Sequence, residues 1–219
     1  MKTEYLNVLE NFDGSIIRAV EMLSNGEIVA FPTETVYGLG VDFFNSIAIE
    51  KIYRLKGRAQ DKPLAVYICS LKNVEDLAVQ IPDEFYLLAE KFLPGPLTII
   101  LKSNTKIIAR NLSSRTTIAF RMPDNAIALE LINKFGSPIA ATSANISGEE
   151  SLTDAMQIYD KFNGKIAGVI DGGISKIGIE STVITLVGDK PEILRIGAIS
   201  QSEIEQHLGS LCFLQTQHS

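Results

Sequence analysis

Two spacings of apolar residues alternate along this 219-residue chain. Apolar positions three and four apart mark helices, and short apolar runs bounded by Gly, Pro or Asn mark buried strands. Helical spacing is predicted over Ser15–Ser24, with Ile16, Ile17, Val20 and Leu23 on one face behind Asp13 as cap, and over Ser46–Leu55, with Ile49, Ile52 and Tyr53 inward and Gly57 as the stop. Further helices are predicted near Leu71–Ala78, Asp83–Phe92, Asn125–Phe135, Thr153–Phe162 (capped at or near Thr153) and Ser202–Leu208. Strands are predicted at Ile28–Phe31, Leu64–Ile68, Leu97–Leu101, Thr116–Phe120, Pro138–Ala141, Gly168–Ile170, Ser181–Leu186 and Glu192–Leu194. Strands and helices mix without strict alternation. That order predicts an α/β (α+β) fold, a twisted sheet of mixed parallel and antiparallel strands covered by helices. No repeat or linker interrupts it, so residues 1–208 are expected to form one domain and residues 209–219 a tail.

Composition narrows the chemistry. With 46% apolar and 21% charged residues the chain is expected to fold as a globule, and no apolar run reaches the ~20 residues of a membrane helix. The polar N-terminus does not read as a signal peptide, and the expected location is the cytoplasm. Two cysteines, Cys69 and Cys212, lie far apart and give no disulfide framework. The two histidines, His207 and His218, sit near the C-terminus, which argues against a His-based metal site or a Ser-His-Asp triad. A net charge of −6 argues against gripping a long nucleic acid. Locally the sign reverses: Lys51, Arg54, Lys56, Arg58 and Lys62 crowd into twelve residues, and Arg110, Arg115 and Arg121 form a second basic group. Such clusters on an acidic chain point to a compact anion site.

Five stretches could carry chemistry. In "FPTETVYGLG" (Phe31–Gly40) an extended backbone would project Thr33, Thr35 and Tyr37 one way and Glu34 and Val36 the other. The hydroxyls would then wall a pocket for a small polar ligand, or merely decorate a half-exposed strand. In "YRLKGRAQDKPL", Lys51 and Arg54 suit a helix C-terminus, whereas Arg58 and Lys62 lie beyond it, where they could clamp phosphate. "PIAATSANISG" ends a buried strand in Thr142, Ser143, Asn145 and Ser147, at the kind of strand end where ligands bind or where polar loops simply turn. "DGGISKIGIESTVI" is glycine-rich but matches no nucleotide fingerprint. In "TTIAFRMPDN", Arg121 ends a strand, where a solvated surface cation is the ordinary expectation.

Taken together, "FPTETVYGLG", "KGR" with "KPL", "PGPLT", "TIAFRMPDN", "ATSANISG", "ESTVI" and "ILRIGAI" resemble, in order, the YrdC-like family of TsaC-type threonylcarbamoyl-AMP synthases, and the resemblance spans Phe31–Ile199. It implies a deep basic cavity and an enzyme that condenses L-threonine, bicarbonate and ATP into threonylcarbamoyl-adenylate and pyrophosphate, for tRNA modification by a downstream transferase. It further implies catalytic roles for Lys56, Arg58, Ser143 and Asn145. Arg58, Lys62, Thr117, Asn145 and Arg195 are implied near ATP, and Thr35, Tyr67, Arg121, Thr142, Ser143 and Ser181 near threonine. The chain departs from the family at Tyr67, where His is common, and at Ile196, where Pro is common. Its length resembles that of the short family members.

The implied reaction accounts for the scarcity of histidine. Threonine's amine forms a carbamate with carbon dioxide or bicarbonate, and that carboxylate attacks the α-phosphate, so the substrates supply the reactive groups and the protein supplies position and charge. Mg²⁺ is expected on the triphosphate rather than in a protein cage. Two other readings stay open: an RNA-binding module that uses the basic cavity, or at least a weak RNA contact, and a carbamoyl-transfer module. No membrane partner is expected.

Overall fold

The computed structural model describes residues 2–104 and 116–208. Their strands form one ten-stranded sheet: β1 (Glu4–Asn7), β2 (Val29–Phe31), β3 (Gly38–Asp42), β4 (Ala65–Tyr67), β5 (Leu97–Lys102), β6 (Thr117–Arg121), β7 (Ile139–Ser143), β8 (Gly168–Asp171), β9 (Thr182–Thr185) and β10 (Glu192–Arg195). The order is β1-β8-β2-β3-β7-β4-β6-β5-β9-β10. Pairs β1/β8, β8/β2, β4/β6 and β5/β9 are parallel and the other five antiparallel, which is the mixed sheet predicted. The helices are α1 (Phe12–Ser24), α2 (Ser46–Lys56), α3 (Lys72–Leu77), α4 (Asp83–Phe92), α5 (Ala126–Phe135), α6 (Ala155–Phe162) and α7 (Gln201–Leu208).

Strand alternation splits the apolar residues into two cores. Ala30, Val66, Ile68, Ile99, Ala140 and Val169 face one way and pack with α2, α3, α4, α6 and α7. Val29, Phe31, Tyr67, Ile139, Ala141 and Ile170 face the other way and pack with α1 and α5. The two helices therefore cover the sheet near β8, β2 and β3. On the same face, residues of β4, β5, β6, β7, β9 and β10 line a cavity instead.

Local chemistry sets the element ends. Gly57, in the left-handed conformation at φ 59°, ends α2 as expected. Asn125 caps α5 by accepting from the amides of Ile127 and Ala128. Two expectations need correction, and strand β1 was not predicted. The cap of α1 is Asn11, not Asp13, because its side chain accepts from the Gly14 amide; the buried face is Ser15, Ile16, Ala19, Met22 and Leu23, and Ile17 is exposed. The cap of α6 is Asp154, next to Thr153 as expected. Strand β1, half-polar and four residues long, gave no clear pattern. Finally, Thr33–Tyr37 is not extended: the chain bends there, and the strand begins at Gly38. The glycines serve the sheet, since a Cβ on Gly40 would stand 2.6 Å from both Phe31 Cε1 and Ile139 Cγ2.

Candidate functional site

The cavity has a volume of about 750 Å³ and is walled by strand residues and by the loops that follow α2 and β7. Its apolar floor includes Ala65, Ile100, Ala119 and Val183. Three polar groupings stand around it.

The first is built on Lys56, the last residue of α2, which is only 1% exposed. The turn at Gly57 ends the helix where the ammonium meets the loop after β7. Nζ donates to the Ser143 carbonyl and, at 2.9 Å, to Asn145 Oδ1. Asn145 Oδ1 also accepts from Ser143 Oγ at 2.7 Å, and its amide donates to the Glu149 carbonyl. Burial, aided by the charge of Arg58 and opposed by Glu180, lowers the Lys56 pKa from its ordinary 10.5 to about 8. Arg58 donates from Nε and Nη2 to the carbonyls of Lys62 and Pro63 at 2.9 and 3.0 Å, which folds the basic loop against the cavity.

The second is a bound-back arginine. Arg195, at the end of β10, pairs with Glu180 and donates through Nη2 to the Ser181 carbonyl at 2.8 Å. Ser181 Oγ lies 2.8 Å from Thr98 Oγ1. Burial would raise the Glu180 carboxyl, but Arg195 and the Ser151 hydroxyl hold it below its ordinary value.

The third gathers at Arg121, which is 4% exposed and so not the solvated cation expected of a strand-end arginine. Its Nη1 donates to Tyr67 Oη at 3.0 Å. Its Nη2 meets Glu34 Oε1 at 3.0 Å and Thr35 Oγ1 at 2.5 Å, with Thr33 Oγ1 at 3.4 Å. The guanidinium also lies over the Tyr67 ring, 5.3 Å from its centroid. Burial raises the Tyr67 pKa, against the pull of the arginine. The bend at Thr33–Tyr37 explains this convergence. It turns Glu34 toward Arg121 together with Thr33 and Thr35, whereas an extended chain would have sent Glu34 to the opposite face. It also sends Tyr37 elsewhere, to donate to the Gly173 carbonyl at 2.7 Å.

Ten of the twelve residues singled out in the sequence line this one cavity: Lys56, Arg58, Lys62, Tyr67, Arg121, Thr142, Ser143, Asn145, Ser181 and Arg195. Thr35 is fully buried behind the wall and touches Arg121. Thr117 shares the face of Ala119 and Arg121 but lies two residues beyond the described walls. The other basic residues divide: Lys51 pairs with Glu27, Arg54 pairs with Glu50, and Arg110 and Arg115 lie outside the described residues. Sequence reasoning missed Thr98, Glu180 and Glu34 as parts of the site. Glu180 and Glu34 each adjoin a chosen hydroxyl, in "ESTV" and "PTET", and that adjacency was the available signal. Among the described residues no group of three or more His, Cys, Asp or Glu side chains could cage a metal ion.

A family model described as telomere recombination, Sua5/YciO/YrdC, matches residues 21–197. The threonylcarbamoyl-AMP synthase of Bacillus subtilis is 44% identical over 204 residues, covering 93% of this chain and 59% of that protein. The Pyrococcus abyssi enzyme of the same name is 44% identical over 210 residues, covering 95% of this chain and 62% of its own length. The chain thus spans about six-tenths of these relatives. The crystal structure of P. abyssi Sua5 complexed with L-threonine superposes with a TM-score of 0.87 at 41% identity, over 98% of this chain and 63% of that one.

Proposed function

The chain belongs to the Sua5/YciO/YrdC family, and from that premise we propose that it is an L-threonylcarbamoyladenylate synthase, an enzyme that joins L-threonine, bicarbonate and ATP and releases pyrophosphate. The observation that carries the reading is the cavity itself: a buried lysine, four further cations and a cluster of hydroxyls face one space large enough for a nucleotide beside a small amino acid. The P. abyssi relative bound to L-threonine supports the amino-acid half of the assignment.

The roles follow from charge. Lys56, Arg58 and Lys62 carry three positive charges along the wall formed by the α2 end and its following loop, which suits a triphosphate. Lys56 donates to two uncharged oxygens, so its charge remains available to an incoming phosphate. Asn145 and Ser143 fix the position of its Nζ, and a buried, oriented cation stabilises the charge that develops at the α-phosphate when pyrophosphate leaves. Arg195 and Ser181 close the opposite wall. Arg121, Tyr67 and Thr142 line the end assigned to threonine, whose carboxylate Arg121 would receive. The nucleotide would enter as its magnesium complex. Of the three wall carboxylates, Glu149 pairs with Lys161 and Glu180 with Arg195, which leaves only Asp61 without a cation partner among the described residues; one carboxylate suits an ion held mainly by phosphates and water rather than by a protein cage.

Threonine's free amine condenses with bicarbonate to give a carbamate, the bicarbonate hydroxyl leaving as water with one amine proton. The carbamate oxygen then bonds to the α-phosphorus as the bond to pyrophosphate breaks. Protein groups hold both substrates in contact and exclude water from the mixed anhydride. The transferase that consumes the product, any weak contact with RNA and a cytoplasmic location belong to this same proposal.

The test is pyrophosphate release with mass spectrometry of the product. Release should need L-threonine and bicarbonate together and should yield the mass of threonylcarbamoyl-AMP. Equal release with either one omitted refutes the assignment.

A further inference from the structure

The cavity has two electrostatically different ends. At one, Lys56 donates to a carbonyl and an amide oxygen and makes no direct ion pair, with Glu180 acting on it only through its charge. At the other, Arg121 is already neutralised by Glu34, with 4% and 8% of the two side chains exposed. That pair is incompletely satisfied. Arg121 Nε and Glu34 Oε2 are buried without a hydrogen-bond partner: one donor and one acceptor, of opposite charge, in a single cluster. Buried polar atoms are rarely left so, and the pair therefore keeps unsatisfied charge open to an electrostatic complement in the adjoining cavity. Tyr67 and the two threonines cannot supply it, since their hydroxyls already bond the guanidinium through Nη1 and Nη2.

A lone buried guanidinium would draw in any small carboxylate. A guanidinium already paired to a carboxylate attracts a second anion much less, because the joined cluster would carry a net negative charge at low dielectric. A ligand that brings its own cation removes that penalty. We propose that Glu34 is a specificity-determining residue: as the internal counter-ion of Arg121 it makes this end of the cavity select a zwitterionic amino acid over an equally sized carboxylate without an amine. Glu34 is not a cavity wall, so it acts through its charge on Arg121 and on the ligand's ammonium, not through the chemical step. The inference rests on the placement of threonine beside Arg121 and adds to it the reason for a buried carboxylate behind that arginine.

The experiment compares binding of L-threonine and of 3-hydroxybutyrate, which is threonine without its amine, by titration calorimetry on wild type, Glu34→Gln and Glu34→Asp. Wild type should prefer threonine. Glu34→Gln keeps the shape and removes the charge, and its preference should fall at least tenfold, with 3-hydroxybutyrate gaining affinity. Glu34→Asp keeps the charge and should retain most of the preference. It also serves alone if the Gln variant does not fold, because an Asp variant that folds and has lost the preference overturns a charge-based role. Equal weakening of both ligands in Glu34→Gln, the signature of a purely structural residue, overturns the proposal. If wild type binds no threonine, the functional reading fails first and this inference with it; if wild type binds threonine and Glu34→Gln discriminates as well as wild type, the inference fails alone.

Discussion

Replacing Lys56 with methionine should stabilise the fold while abolishing its proposed chemistry. Lys56 is 1% exposed, and its pKa falls from 10.5 to about 8. The unfolded chain therefore holds this proton more tightly than the folded one. Stability must rise with pH between about 8 and 10.5, and below that window the protonated amine costs the fold about 3 kcal/mol at 1.36 kcal/mol per pH unit. Methionine has nearly the same length and no charge. Removing the ammonium orphans neither acceptor: the Ser143 carbonyl keeps the Asn145 amide at 3.0 Å, and Asn145 Oδ1 keeps Ser143 Oγ at 2.7 Å. Two lost hydrogen bonds, at about 1 kcal/mol each, offset about 2 kcal/mol of the gain. A net stabilisation of about 1 kcal/mol remains at pH 7, which in a chain of this size is a rise of about 2–4 °C in Tm. The assay is thermal unfolding by circular dichroism at pH 7 and pH 10, with pyrophosphate release measured in parallel. Lys56→Met should melt higher than wild type at pH 7, and its advantage should shrink as the pH approaches 10. A variant that melts below wild type at pH 7, or an advantage independent of pH, refutes the claim that Lys56 is held charged against the preference of its surroundings.

Two further outcomes follow from the same geometry. Arg58→Ala should lower pyrophosphate release at least tenfold, about 1.4 kcal/mol of transition-state stabilisation, and a folded variant with wild-type turnover would remove Arg58 from the site. Gly40→Ala should destabilise by about 1–3 kcal/mol in urea unfolding, because its Cβ would have to displace Phe31 and Ile139 inside the sheet; no change in the midpoint would refute the packing reason for that glycine.

Where side chains repeat with a clear period, the chain could be read directly. The faces of α2 and α5 and the strands β5, β6 and β9 lie close to where apolar spacing places them. Short elements with mixed polarity could not be read, as β1 shows. The Thr33–Tyr37 segment failed for a different reason. Threonine and tyrosine favour strands, but the bend is set by tertiary partners, among them Gly178, whose amide bonds the Thr35 carbonyl, and Arg121. Local spacing therefore gave two of the three hydroxyls correctly, Thr33 and Thr35, and the wrong arrangement. The site residues were legible as a set because their motifs occur in family order. Their pairings were not: Glu34 with Arg121, Glu180 with Arg195 and Lys56 with Asn145 each join different strands or loops, and nothing in a one-dimensional pattern marks which carboxylate meets which cation.

The strand order has a consequence for synthesis. Lys56 and Asn145 stand 89 residues apart in the chain, and Glu34 and Arg121 stand 87 apart. Strand β3 acquires its inner neighbour, β7, only after about a hundred further residues have been made. A nascent chain emerging N-terminus first thus carries its cations in water until their partners arrive, and half a polypeptide has no cleft in which to hold the proposed ligands. Ligand capture is reserved for molecules whose topology is complete, so the stoichiometry of a small-molecule titration doubles as a count of correctly finished chains.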